Sequence, residues 1–258
     1  MPANVTRILQ VIEDPKVEIT QIADLIGKDQ VLTALVLQMA NSALLGYSRN
    51  CVSPAVAVMR IGLTRLRSIM LMSSSYQSMN RVLSAYRLGA GELWQHAQNT
   101  ATASETIARY LHYPNTEEAY VSGLVHDIGK LILNQVMMSD FARIKDFINQ
   151  YHMRLWEMEK KLIGIDHAQV GSLMAEKWNL PASLAEAIRY HHYPVEATNP
   201  ILPAIVNLAN ALTLHRTHPE IGLESGEISP ETLTILEIET NTLTAINAQI
   251  DAPLNRNR

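Results

Sequence analysis

The adjacent residues His126 and Asp127 place an imidazole and a carboxylate side by side in an apolar helical segment, residues 120–133. Burying such a pair costs free energy unless the groups are paired or bind a metal ion. His167, His191 and His192 lie where helices are predicted to begin or end, and His96 lies upstream in Leu93-Trp94-Gln95-His96. Imidazole and carboxylate ligands together suit Zn, Fe, Mn or Ni. These residue types therefore indicate a site for a divalent transition metal.

The composition is that of a folded protein with a sizeable core. Hydrophobic residues make up 47% and charged residues 18% of 258 residues, which excludes disorder over most of the length. The formal net charge is −4 and no basic stripe is present, which argues against nucleic acid as a partner. Cys51 is the single cysteine, so no internal disulfide can form and a reducing compartment is natural.

Membrane and secretion signals are missing from the sequence. The N-terminal residues lack the charged start and apolar stretch of a secretory signal. The most apolar run, residues 31–40, is too short to span a bilayer. We therefore expect a cytoplasmic protein that does not act at a membrane.

Apolar residues recur with the period of an α-helix along almost the whole chain, which predicts an all-α fold. Two glycines in residues 86–91 mark the expected hinge between two helical parts. After the hinge, the pattern predicts helices near residues 92–112, 116–137, 139–151, 153–163, 167–178, 183–192 and 200–216. Residues 233–238 also permit a strand, but Ser229-Pro230-Glu231 is typical of a helix start, so we favour a helix there. From Ala252 onward we expect a polar tail.

Several motifs occur in a fixed order along the chain. They are Leu93–His96, Glu118–Lys130, Gly164–Gly171, Ala187–His192 and Ile205–Leu212. In this order they resemble the HD superfamily of metal-dependent phosphohydrolases, and more closely its HDOD branch, from near residue 4 to about residue 216. The resemblance implies an N-terminal helical subdomain over residues 1–88. It further implies an HD-like metal-type helical subdomain over residues 89–220, then a C-terminal helix and polar tail over residues 221–258.

The resemblance also implies a set of metal ligands. They are His96, His126, Asp127, His167, His191, His192 and Asn210. Asp127 would anchor a cation with His96 and His126, while the other three histidines would serve a second metal or hold phosphate oxygens. Lys130 lies one helical turn past His126 and could steady a phosphate if the protein is catalytic. The competing interpretation of Lys130 is a solvated or snorkelling lysine.

Asn210 departs from the catalytic pattern, because catalytic members of the superfamily carry aspartate there. An amide can ligate a metal, but it brings no charge and cannot take a proton from metal-bound water. Residues 193–196 also differ from the glycine-rich signature of the cyclic-dinucleotide phosphodiesterases called HD-GYP. The resemblance therefore implies a bacterial signalling output module that binds signalling proteins in trans or a small ligand such as a nucleotide. The alternative is an active phosphohydrolase or phosphodiesterase on a nucleotide or cyclic dinucleotide, which the six retained ligands and Lys130 favour.

A DNA-binding function has one feature in its favour, since residues 19–27 and 30–40 have the length of a helix-turn-helix. The would-be recognition helix, residues 31–40, contains no Arg or Lys to reach a base or a phosphate. We therefore expect this helix to be buried.

Overall fold

The structure is a computed structural model that describes residues 3–41, 51–79, 81–138, 154–178, 180–217, 228 and 230–254. Within these ranges the chain forms helices and turns, and its one β feature is an isolated antiparallel bridge between Leu83 and Leu88. The predicted all-α fold is confirmed. Among the helices of the described ranges, none is long and apolar enough to cross a membrane.

The chain divides into two compact units, Met1–Gln77 with Asp251–Arg258, and Ser78–Ile250. The subdomain boundaries at residues 88 and 220 stay predictions. The helices that begin in the first unit before its C-terminal segment are α1 (Ala3–Ile12), α2 (Ile19–Gly27), α3 (Gln30–Ala40), α4 (Pro54–Ile61) and α5 (Leu63–Met79).

The first unit is built around α2, α3 and α4, which pack against one another. In α3, the side chains of Leu32, Leu35 and Val36 are buried. These side chains are buried as expected, and the helix has no Arg or Lys to offer to a DNA groove. Ile69 and Met70 of α5 are also buried, as their spacing predicts.

The second unit carries the residues of the predicted site. Its helices are α6 (Glu92–Tyr110), α7 (Thr116–Val125), α8 (Lys130–Met138), α9 (Leu155–Ile163), α10 (His167–Lys177), α11 (Ala182–Tyr190), α12 (Ile201–Thr217), α13 (Pro230–Ile235) and α14 (Thr240–Leu254). Short 3₁₀ turns span Ser84–Tyr86 and Pro194–Glu196. Helix α6 packs against α7 and α12, and α10 packs against α11.

The prediction of one continuous helix over residues 116–137 is wrong. Helix α7 ends at Val125, a tight turn covers residues 126–129, and α8 begins at Lys130. In the turn, the Lys130 N–H donates to the Asp127 carbonyl at 3.0 Å. The turn lies so close to the start of α10 that a Cβ on Gly129 would be 2.0 Å from the His167 carbonyl oxygen. Only glycine allows this close approach.

The remaining helix predictions have mixed outcomes. Residues 230–235 form a helix, as favoured over a strand. The polar tail does not begin at Ala252, since α14 continues to Leu254. Ile246 and Ile250, one turn apart in α14, are fully buried, so this helix has an apolar face that packs. The predicted helix at residues 139–151 lies outside the described residues.

Candidate metal centre

Helix ends and turns of the second unit supply most of the site's side chains. His126 and Asp127 lie in the turn after α7, Lys130 begins α8, and His167 begins α10. His191 and His192 follow the end of α11, whereas His96 lies in α6 and Asn210 in α12. All of these side chains are buried except that of His192, which is half-buried. The structure therefore brings together every residue of the predicted ligand set.

A capping box fixes the start of α10 and with it His167. The Asp166 side chain accepts from the Gln169 N–H at 2.7 Å, and the Gln169 side chain accepts from the Asp166 N–H at 3.2 Å. These two bonds satisfy donors that the first helical turn leaves open. Asp166 thus caps this helix.

Asp127 lies at the centre of the cluster. Its Oδ2 atom is 3.3 Å from His126 Nε2 and 3.6 Å from His96 Nε2. Its Oδ1 atom is 3.2 Å from His167 Nε2 and 3.9 Å from His191 Nε2. Asp127 therefore has four imidazole nitrogens around one carboxylate.

The ligand atoms form two groups that could each hold a metal ion. One group is His96, His126 and Asp127, and the other is His167, His191 and His192. Within each group the ligand atoms lie within 4.8 Å of one another. The half-buried His192 completes the second group. Its Nε2 atom is 2.9 Å from the Nε2 atom of His167.

Hydrogen bonds on the outer side of the imidazoles set their tautomers. His126 Nδ1 is 2.8 Å from the Gly123 carbonyl oxygen, and His191 Nδ1 is 2.7 Å from that of Ile188. A carbonyl only accepts, so each Nδ1 carries a proton, and in the neutral tautomer the Nε2 lone pair points toward the centre. Metal-ligating histidines show this arrangement. Both Nε2 atoms are buried without a hydrogen-bond partner in the described structure, and a cation would satisfy them.

Glu159 holds His167 from behind, and the sequence analysis missed it. Its Oε2 atom is 2.7 Å from His167 Nδ1 and accepts from the His167 backbone N–H at 2.7 Å. Its Oε1 atom accepts from the Tyr86 hydroxyl at 2.7 Å. The available signal was an acid on the apolar face of α9, one helical turn from Leu155 and Leu162. Glu159 is fully buried.

Burial keeps three of the histidines uncharged. It lowers the pKa of His96 to about 3, although nearby Asp127 acts in the opposite direction and contact with Asn210 raises it slightly. Burial, together with neighbouring histidines, also lowers the pKa of His191 and His192 well below the usual value. Neutral imidazoles are the form that binds metal.

Asp127 and His167 keep their charges in the absence of a cation. Burial opposes the charge of Asp127, but His126 and Lys130 hold the pKa of its carboxyl well below its usual range. Burial likewise lowers the pKa of His167, but the Glu159 carboxylate and the contact with Asp127 outweigh this and raise it to about 10. His167 is then an imidazolium between two carboxylates.

Lys130 is neither solvated nor snorkelling, so that interpretation is wrong. Its side chain is 4% exposed, and Nζ donates to Asp127 Oδ2 at 2.8 Å. Nζ also lies 5.7 Å from the centre of the Tyr86 ring. The lysine is therefore a buried partner of the central carboxylate.

Aromatic and cationic side chains line the outer edge of the site next to His192. Trp156 stacks on His192, with ring centres 5.8 Å apart and planes at 18°. Lys160 Nζ lies 4.2 Å from the centre of the Tyr193 ring, and the Tyr193 hydroxyl donates to Asp166 at 3.1 Å. Sequence reasoning singled out none of these contacts.

Comparison with known proteins identifies a family for most of the chain. A family model of the HDOD domain matches residues 1–194. A Treponema pallidum (strain Nichols) protein described as uncharacterized is 25% identical over 212 residues. The match covers 82% of this chain and 40% of that protein, so the chain spans about two fifths of the relative's length.

Several solved bacterial structures have a similar fold. An HDOD domain protein of unknown function from Geobacter sulfurreducens is 26% identical with a TM-score of 0.64, over 98% of this chain and 92% of that one. A candidate phosphohydrolase from Shewanella amazonensis SB2B is 21% identical with a TM-score of 0.74, over 98% and 89% of the two chains. A candidate signal transduction protein from Marinobacter aquaeolei VT8 is 23% identical with a TM-score of 0.69, over 99% and 56%. The last two likenesses concern the fold alone.

Proposed function

Because the chain belongs to the HDOD family, we propose that it is an output module of bacterial signal transduction. It acts by binding a signalling protein in trans, or a small ligand such as a nucleotide, and hydrolysis is not its task. The description of the Marinobacter aquaeolei protein as a candidate for signal transduction supports this class of function.

The observation that carries the proposal is the shortage of carboxylates. In the part of the chain that the structure describes, Asp127 is the one carboxylate facing both ligand groups, and Lys130 already pairs with it. Asn210 contributes a neutral amide instead of a second carboxylate. Among the described residues, its Oδ1 atom is buried without a hydrogen-bond partner. An amide cannot take a proton from a metal-bound water, so the activation of a nucleophile lacks its base.

The side chains nevertheless fit a divalent transition metal. We propose His96, His126 and Asp127 as the first ligand group, and His167, His191 and His192 as the second, with the Asn210 amide oxygen beside His96. A bound cation would supply Lewis-acid stabilisation of phosphate oxygens. The two ligand groups would offer a metal ion imidazole nitrogens and only one carboxylate. Because so little negative charge is available, we expect the metal ion to bind weakly and reversibly.

Asn210→Asp tests the assignment. The substitution should raise the metal content of purified protein, measured by elemental analysis, because a second carboxylate adds charge attraction to the cation. The natural protein should hydrolyse nucleotides and cyclic dinucleotides more slowly than about one per second. Asn241→Asp adds the same charge at an exposed position of α14 and should change neither quantity.

An active phosphohydrolase is the second candidate, favoured by the convergence of four histidines on Asp127, with His192 next to His167. Turnover of a nucleotide or cyclic dinucleotide by the natural protein at about one per second or faster would establish this candidate and reject the first. Lys130 would then be the residue to examine for contact with substrate phosphate.

The first unit is the proposed contact surface for a protein partner. Val52, Met59 and Leu63 are 86%, 58% and 37% exposed, and they are the apolar side chains that such a surface would offer to a partner. Met59→Lys should abolish capture of a specific partner from the source bacterium. Leu173→Lys, at a residue of the second unit that is 51% exposed, should leave capture intact. Equal capture by both variants, or none by the natural protein, would reject the interaction surface.

A further inference from the structure

Lys130 is buried in the candidate metal centre and pairs with its central carboxylate. Its ammonium group lies 2.8 Å from Asp127 Oδ2, the same oxygen that faces His96 and His126 at 3.6 and 3.3 Å. Lys130 Nζ thus lies nearer to this carboxylate oxygen than either imidazole nitrogen does. This is the oxygen that the first ligand group would offer to a cation.

We propose that Lys130 is a built-in cation of the metal centre, which neutralises Asp127 when no metal is bound and competes with a divalent cation for that carboxylate. The competition rests on the cation site of the proposed function. The neutralisation of Asp127 stands on the geometry of the Lys130–Asp127 pair alone.

The local backbone positions this pair. Lys130 follows Asp127 by three residues, and the Lys130 N–H donates to the Asp127 carbonyl at 3.0 Å. This turn directs both side chains inward, where they are 4% and 2% exposed. A lysine would otherwise extend its ammonium group into water, because burying an unpaired charge is costly. The pair therefore lets Asp127 stay charged in the core without a metal ion.

The same pair opposes metal binding through charge. A divalent cation in the first ligand group would lie close to the Lys130 ammonium, and two positive charges at this range in a buried site repel strongly. Metal uptake must then either displace the ammonium group or bear this repulsion. A bound metal ion and the Lys130–Asp127 pair would therefore be two alternative ways to neutralise Asp127. The supply of metal ions would decide which of the two the centre contains.

A double-mutant cycle in EDTA tests the neutralisation without any metal. Lys130→Met should lower the Tm by more than about 5 °C, because it removes the closest positive charge from the buried Asp127 carboxylate and leaves His167 as its charged partner. The double variant Asp127→Asn, Lys130→Met should recover most of this loss, because both charges are gone. Lys177→Met, at an exposed residue of α10, should leave the Tm unchanged. A double variant no more stable than Lys130→Met alone would overturn the inference, even if the single variant folds poorly.

Titration with Mn²⁺ as the probe tests the competition. Lys130→Met should bind Mn²⁺ at least about tenfold more tightly than the natural protein. It should also gain the larger increase in Tm at saturation. Equal Mn²⁺ affinity in both proteins would overturn the inference while leaving the proposed site intact. No Mn²⁺ binding by either protein would overturn the proposed site and the competition together.

Discussion

Replacing Glu159 by glutamine removes one charge from behind the metal centre and keeps the side-chain size. In the natural protein, Glu159 accepts hydrogen bonds from the His167 ring, the His167 backbone and the Tyr86 hydroxyl, each at 2.7 Å. Glutamine oriented with its oxygen toward His167 retains the two bonds to that residue. The main loss is therefore the attraction between a carboxylate and an imidazolium in a fully buried place.

Breaking a buried ion pair on one side costs about 3 kcal/mol or more. In a domain of this size class, 1 kcal/mol corresponds to about 2–4 °C in Tm. Glu159→Gln should therefore lower the Tm by about 6–12 °C near neutral pH in EDTA. The exposed Glu176→Gln of α10 makes the same chemical change and should have little effect.

The pH dependence separates this cause from a packing defect. Burial lowers the pKa of His167, but the Glu159 carboxylate and the contact with Asp127 together outweigh burial and raise it from 6.5 to about 10. A raised pKa stabilises the fold fully below the unfolded value, and this stabilisation is lost as pH rises through about 10. The difference in stability between the natural protein and Glu159→Gln should therefore be largest below about pH 6.5 and shrink as the pH rises from 7 toward 10.

Thermal unfolding followed by circular dichroism in EDTA, at pH 7, 8, 9 and 10, measures this difference. A difference in Tm that stays constant over this range would refute the charged His167–Glu159 pair. It would leave only the loss of shape or hydrogen bonding as the explanation.

Two further predictions follow from the same geometry. Gly129→Ala should destabilise the second unit by about 3 kcal/mol in urea unfolding, because the added Cβ would lie 2.0 Å from the His167 carbonyl oxygen. The control variant Gly27→Ala should not destabilise the protein, because no atom lies within 4 Å of a Cβ at that position. Retained stability of Gly129→Ala would contradict the close approach of the turn to α10. Mn²⁺ binding at pH 8 should release a proton from His167, because the pKa of His167 is about 10 without metal. The enthalpy of Mn²⁺ binding measured by calorimetry should therefore differ between buffers of different ionisation enthalpy. Identical enthalpies would exclude His167 as a ligand in that state.

The fold class and the candidate ligand residues could be recognised in the sequence because their signals are local. Helical periodicity is visible in any window of the sequence, and the buried Leu32, Leu35 and Val36 of α3 follow it directly. The histidines and Asp127 were recognisable by type and order along the chain. Their convergence in space depends on the packing of α6, α10, α11 and the turn after α7.

What the sequence did not reveal depends on contacts between distant residues. Tyr86 and Glu159 are 73 residues apart, and only packing makes them partners. The break at residues 126–129 has the same origin, since an apolar periodic pattern fits one long helix as well as two short ones. The difference is decided by the contact between Gly129 and the start of α10, which no local pattern encodes.

The charges around Asp127 show why occupancy of this centre would be conditional. Two buried carboxylates, Asp127 and Glu159, face two buried positive groups, the Lys130 ammonium and the His167 imidazolium. The two negative and two positive charges of these four groups cancel, so their net charge does not attract a cation. A divalent ion that binds there must release the His167 proton, move the Lys130 ammonium, or do both. Its affinity should therefore rise with pH, in contrast to a site whose ligands are all neutral or ionised beforehand.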